Sequence, residues 1–209
     1  MLGILGGTFD PIHFGHLRPA LEVKQALGLD EIRLIPLLDP PHRSPPLTTP
    51  AQRLAMLHAA IEGLPGFTID TQELEREGKS YTINTLHSLR AEIGTTPICL
   101  LIGTDAFQGF PDWHRPEEIL QLAHLVVMQR PGQPTPEAAS LTLGRLATTT
   151  SELQSTPSGC ILFQTVTQLE ISSTAIRAMI QHNQSPKYLL PDSVLEIIKA
   201  QKLYQGEPK

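Results

Sequence analysis

Ile98-Cys99-Leu100-Leu101-Ile102 is an unbroken apolar run of strand length, and His124–Gln129 carries a second one around Leu125-Val126-Val127-Met128. A strand with no polar side has both faces buried, a condition met when helices cover a parallel sheet above and below. The rest of the chain agrees, because strand-like and helix-like patterns alternate along it. Leu2–Leu5, Glu31–Pro36, Phe67–Asp70 and Ile161–Thr165 read as further strands. Gly15–Leu27 reads as a helix with Gly28 as its C-cap. Ala51–Glu62, Thr82–Ile93, Asp105–Phe110, Arg115–Leu122, Ser173–Gln181 and Asp192–Gln201 read as the other helices. Leu38–Pro50 is broken by prolines and reads as a loop. The alternation predicts a doubly wound, mostly parallel α/β sheet with right-handed crossovers, folded as a single domain over 1–209. Pro131–Gly159 departs from it. Pro, Thr and Ser are frequent there, with a weak helical stretch within Glu137–Leu153, and the segment reads as a partly mobile surface connection.

Size and composition narrow the function. The 209 residues, 40% of them hydrophobic, suffice for one well-buried core. A net charge of −5 argues against wholesale nucleic-acid binding, which calls for a basic face. No stretch nears the roughly 20 apolar residues of a membrane span. The N-terminus lacks the cationic segment and long apolar core of a signal peptide. Cys99 and Cys160 are distant in sequence, and neither lies in a cationic setting. They predict buried thiols in a reducing compartment, the cytoplasm. Composition leaves a homo-oligomer open.

Gly6-Gly7-Thr8-Phe9-Asp10-Pro11-Ile12-His13-Phe14-Gly15-His16 joins the first strand to the first helix. Glycines at a strand end let backbone N–H groups approach a ligand with no Cβ between. Together with the following helix N-terminus they make an anion site. His13 and His16 share one face of that helix start. Glycine turn, paired imidazoles and helix dipole therefore converge where a triphosphate can sit. The two histidines could instead hold zinc, but such a site needs a third and usually a fourth ligand. The two cysteines form no CxxC pair, so no metal site is assigned.

Ligands of doubly wound sheets bind outside the carboxyl ends of the strands. Gly6-Gly7, Pro40-Pro41-His42-Arg43 and Gly103-Thr104-Asp105 all fall at or near such ends and can share one cleft. Toward the other end of the chain, Ile171-Ser172-Ser173-Thr174-Ala175-Ile176-Arg177 places hydroxyls before a helix. Hydroxyls there are ordinary N-caps. Arg177 adds a guanidinium beside free helix N–H groups, a pairing suited to β- and γ-phosphates.

The first string resembles the GGxFDPxHxGH signature of the nucleotidyltransferase superfamily with the HxGH motif. The second resembles that superfamily's ISSTxIR, and the wide separation of the two is the arrangement found there. Members move a nucleotidyl group from a nucleoside triphosphate to a phosphate or carboxylate. Ser80-Tyr81-Thr82, Thr85-Leu86, Phe110-Pro111-Asp112-Trp113, Ala123 to Val127, Arg130-Pro131-Gly132 and Leu189-Leu190-Pro191 resemble the branch that adenylates nicotinate mononucleotide. The likeness runs from residue 2 to about 204 and leaves only 133–158 unmatched.

The resemblance implies a Rossmann-like nucleotidyltransferase fold, with ATP and nicotinate mononucleotide giving deamido-NAD and pyrophosphate. It places Gly6, Gly7, Thr8, Phe9, Asp10, His13 and His16 at ATP, with Asp10 shaping its loop. Gly103, Asp105, Ile171, Ser172, Ser173, Thr174 and Arg177 join them there. His42 and Arg43 fall near the acceptor phosphate and Tyr81 at the acceptor. Trp113 stacks on the pyridine ring, and backbone N–H groups near Thr82 and His114 hold the carboxylate.

The residues themselves fit that chemistry. No side chain reads as a covalent nucleophile, since there is no GxSxG. An acceptor phosphate oxygen can attack the α-phosphorus directly, so catalysis reduces to positioning and charge stabilisation. His13, His16 and Arg177 are the expected catalytic donors. Protonated imidazoles would donate best, and nearby phosphate favours that form. Mg²⁺ is expected through the ATP phosphates and waters. Trp113, the sole tryptophan, sits in a polar loop, where it either stacks on a ligand or packs beneath its own loop. Three alternatives stay open: another acceptor such as nicotinamide mononucleotide, a catalytically silent nucleotide-binding regulator, and a zinc-binding structural protein.

Overall fold

The computed structural model describes residues 1–38, 45–76, 78–132, 142–167 and 169–205. Leu2–Gly7 (β1), Glu31–Pro36 (β2), Phe67–Ile69 (β3) and Ile98–Gly103 (β4) are followed by His124–Gln129 (β5), Arg145–Ala147 (β6) and Cys160–Thr165 (β7). They form one seven-stranded sheet in the order β3-β2-β1-β4-β5-β7-β6. All pairs are parallel, beyond the mostly parallel sheet expected. The helices are Phe14–Leu27 (α1), Pro50–Ile61 (α2), Gln72–Glu75 (α3), Thr82–Ile93 (α4), Thr104–Gln108 (α5), Pro116–Leu122 (α6), Thr150–Gln154 (α7), Ser173–Gln181 (α8) and Asp192–Ala200 (α9).

The unbroken apolar strands behave as period-two geometry requires. Along β4, Cys99 and Leu101 enter one core with Val126 of β5, Ile12 and Ile176. Leu100 and Ile102 enter a second with Leu125 and Val127 of β5, Leu86 and Phe107. A strand that feeds a core on each face has no place for an unpaired polar side chain; His124, fully buried at the start of β5, is paired with the Thr156 carbonyl at 2.9 Å and Cys160 N at 3.1 Å.

Local chemistry sets the helix ends. Gly28 caps α1 in the left-handed region at φ 60°. Thr49 and Gln52 form a reciprocal capping box at the start of α2, with bonds of 3.2 and 2.9 Å, and Pro50 occupies a first-turn position where its missing N–H costs nothing. Arg90, near the end of α4, sends its N–H groups to the carbonyls of Gly94, Thr96, Leu122 and Pro157. A guanidinium spread over four carbonyls meets the negative ends of α4 and α6 at one corner.

Two expectations need correction. Pro131–Gly159 is not simply a surface connection. Residues 133–141 lie outside the described part, but 145–154 form β6 and α7, and Ala147 and Leu153 are buried in the core. Three-residue β6 lacks the apolar run that marks a strand in sequence. The surroundings of Cys160 also differ from the non-cationic setting expected. Arg145 of β6 donates to its Sγ at 3.0 Å. Cys99 is the apolar thiol, and burial pushes it up to about 12. Both cysteines are free and buried. Smaller differences are α3, which the sequence did not signal, and the helix expected over Asp105–Phe110, which is α5 followed by a 3-10 turn at Phe110–Asp112.

Candidate active site

The sheet order reverses direction at β1, which has β2 on one side and β4 on the other. Such a switch point opens a crevice beyond the strand ends, here at Gly7 and Gly103. Gly6 is open toward it: a Cβ there would meet only the Leu37 side chain, at 3.8 Å. A Cβ on Gly7 would lie 2.8 Å from the ring of Phe9. So one glycine clears room for a ligand and the other makes room for an aromatic ring. Phe9 is buried and takes φ 50°, a left-handed conformation that costs a bulky residue about 1–2 kcal/mol.

His13 is the N-cap of α1, and the expected pairing of the two imidazoles is present. The rings of His13 and His16 stack with centroids 3.8 Å apart, and Phe9 meets His16 edge-on at 5.2 Å. Gly15 permits this, since a Cβ there would lie 2.9 Å from the His13 ring and 3.0 Å from the carbonyl oxygen of Ile171. His13 is only 4% exposed, and its buried Nδ1 has no hydrogen-bond partner among the described residues. Burial drives the His13 imidazole down to about 4, so it is neutral at pH 7 in the ligand-free protein. The Phe14 N–H at the helix start is also taken, by the Leu189 carbonyl at 3.0 Å.

The second motif docks against the first. Ser172 caps α8 by accepting from Ala175 N at 3.1 Å. Ser173 donates to the Pro11 carbonyl at 2.9 Å. Arg177 donates to the Asp10 carbonyl at 2.7 Å and to the Thr174 hydroxyl at 3.3 Å. The planar fork thus joins the two motifs across 167 residues of sequence.

Asp10 lies beneath this contact with its carboxylate turned inward. It accepts from Leu47 N at 2.8 Å, the Thr48 hydroxyl at 2.6 Å and the Tyr204 hydroxyl at 2.7 Å. Arg53, 1% exposed, donates to the carbonyls of Thr8 at 2.8 Å and Leu37 at 2.7 Å. Sequence reading missed Thr48, Arg53 and Tyr204. The one signal was an arginine on the apolar face of α2, beside Met56 and Leu57.

Residues expected at the acceptor form another group. Tyr81, N-cap of α4, tilts over His114 with centroids 4.5 Å apart, and Thr82 begins the helix. Trp113 is half-buried and tilts against Phe110 at 5.4 Å, so it is neither a free flap nor a core residue. Ser80 accepts from Leu38 N at 3.1 Å, tying the start of α4 to the end of β2. Asp105 is exposed in the first turn of α5, directly after Gly103. His42 and Arg43 lie outside the described residues. No described helix is long and apolar enough to cross a membrane.

The cytidylyltransferase-like family model matches residues 4–179. A Methylococcus capsulatus protein named "Probable nicotinate-nucleotide adenylyltransferase" is 49% identical, with 98% of this chain and 99% of that one covered. An Acidithiobacillus ferrooxidans protein of the same name is 50% identical over 98% and 96%. Among solved structures, Plasmodium falciparum nicotinic acid mononucleotide adenylyltransferase complexed with NaAD superimposes with a TM-score of 0.72 at 17% identity, covering 97% of this chain and 96% of that one. That likeness shares the fold. A switch-point crevice, stacked histidines and a docked arginine thus meet near full-length identity at about one residue in two, and the chain belongs to the nicotinate-nucleotide adenylyltransferases of the cytidylyltransferase-like family.

Proposed function

We propose that the protein transfers the adenylyl group of ATP to nicotinate mononucleotide in the cytoplasm, as a step of NAD biosynthesis. The carrying observation is the convergence of the His13–His16 stack with Arg177 at the carboxyl end of β1. An oxygen of the mononucleotide phosphate attacks the α-phosphorus of ATP. The bond from that phosphorus to the bridging oxygen breaks, pyrophosphate leaves with the electron pair, and deamido-NAD forms. His13 and His16 donate hydrogen bonds as charge builds on the phosphates. A neutral His13 has one donor, and the approach of the triphosphate raises its proton affinity. Arg177, already oriented by Asp10 and Thr174, presents its remaining N–H groups to phosphate oxygens. Mg²⁺, carried in on the ATP phosphates, supplies further charge neutralisation when bound.

At the other end of the crevice, Trp113 stacks on the pyridine ring, and backbone N–H groups near Thr82 and His114 donate to the carboxylate. An amide would turn an N–H toward a donor and leave it unpaired, at about 1–3 kcal/mol. The test is pyrophosphate release from ATP with each mononucleotide. Release with the acid at far lower concentration than with the amide is expected. Equal use of both would reassign the acceptor, and release with neither would end the reading.

A further inference from the structure

Tyr204 lies beyond α9, at φ 61°, with only 7% of its surface exposed. Its hydroxyl donates to Asp10 Oδ1 at 2.7 Å, a contact spanning 194 residues of sequence. Burial first, then the adjacent carboxylate, pushes the phenol above its ordinary value, so it remains a donor throughout the working pH range. The same carboxylate oxygen receives the Thr48 hydroxyl, and the other receives Leu47 N. The Asp10 backbone carbonyl, meanwhile, accepts from Arg177. One residue therefore has its side chain tied to the C-terminal tyrosine and its main chain tied to the catalytic arginine. The loop after β2 is fastened to the same turn, through Leu37 N to Gly7 O at 3.0 Å and through Leu47 and Thr48.

We infer that Tyr204 is a positioning residue for adenylyl transfer, acting through Asp10 on the placement of Arg177 and of the turn that leads to His13. The inference rests on the proposed transferase reading. Without the hydroxyl, a buried carboxylate oxygen has one donor fewer, and such a group recovers by shifting or by admitting water. Either response moves the Asp10 carbonyl against Arg177. Trp113 and Tyr81 are in other contacts, so ring binding is spared.

The experiment compares steady-state pyrophosphate release by wild type, Tyr204→Phe, Asp10→Asn, the double variant and Leu203→Ala. Tyr204→Phe keeps the ring and removes the donor. Its kcat should fall about tenfold, the loss of one hydrogen bond to a charged group, with the mononucleotide KM within about twofold. On Asp10→Asn the same change should cost less than twofold more, since the hydroxyl acts through that carboxylate. Leu203→Ala removes neighbouring core packing and should lower Tm while kcat stays at the wild-type value. A Tyr204→Phe enzyme with lower Tm but unchanged kcat, or with a full tenfold loss repeated on Asp10→Asn, overturns the inference. If Tyr204→Phe does not fold, Thr48→Val decides: it removes the other hydroxyl on the same oxygen, and a folded variant of normal kcat is equally fatal. A wild type that releases no pyrophosphate refutes the transferase reading and this inference with it, whereas an active wild type beside an unimpaired Tyr204→Phe refutes only the inference.

Discussion

The two ends of the crevice are built differently. At the β1 end, polar groups are buried: Asp10, His13, Thr48 and Arg53 are at most 7% exposed, and Asp10, Thr48 and Arg53 are held by hydrogen bonds. At the proposed acceptor end, Tyr81, Trp113 and His114 form a half-exposed aromatic group whose rings meet one another and Phe110, with Tyr81 and Trp113 also packed on the second core. Charge moving between phosphates has to be met by donors already in place, because reorienting them during the reaction adds to the barrier. A flat ring needs area and shape, which aromatic side chains supply with modest ordering. Substitutions at the first end should therefore strike turnover, and those at the second should strike acceptor affinity.

His16→Ala should be the harshest test, lowering kcat about 10²–10³-fold with the fold intact, since it deletes the donor we propose at the reacting phosphates. Near-normal turnover would remove His16 from the chemistry. Acid should expose the same end through stability. His13 has a folded value of about 4 against an ordinary 6.5, so the unfolded chain binds the extra proton between them. Its contribution is fully present above pH 6.5 and is lost as pH falls toward 4, about 3 kcal/mol across the window. Urea melts of wild type against His13→Gln should diverge in that direction, and parallel curves would mean that His13 is not held neutral. Arg177→Lys should cut kcat roughly 10- to 30-fold, because an ammonium cannot hold the Asp10 carbonyl and still offer a planar fork. A defect confined to the mononucleotide KM would place Arg177 at the wrong substrate. Trp113→Ala is the mildest, raising the mononucleotide KM roughly three- to tenfold, the worth of one aromatic stack, with ATP use unchanged. Wild-type fluorescence from this sole tryptophan should quench saturably with the acid. A loss of kcat instead would erase the contrast between the two ends.

What sequence reading could see follows from how information is laid along the chain. The Gly6–His16 run and the Ile171–Arg177 run are consecutive residues, so their pattern is visible without a fold. The parallel sheet was equally visible, because β4 and β5 are apolar on both faces. The Asp10 network is scattered: Thr48 is 38 residues away and Tyr204 is 194, each contributing one hydroxyl. No local pattern marks such contacts. The neutral His13 was hidden for a related reason, since its low proton affinity comes from burial, which only the fold supplies. In β6, two of three residues are exposed, so periodicity had nothing to register.

The sheet also ends in a way that bears on how crowded a solution the protein tolerates. Its two outermost strands, β3 and β6, are three residues each, whereas the interior five have six. A strand edge is an invitation to pair with a neighbouring molecule, and its reach scales with the number of unpaired N–H and C=O groups in register. Three residues offer only a short ladder to a second sheet, and β6 sets Arg145 and its partner Glu152 beside that edge. A fully parallel sheet, which folds through distant pairings and stays open-edged while it does so, is thus finished at both sides, among the described residues, by strands that present only a brief ladder to another copy.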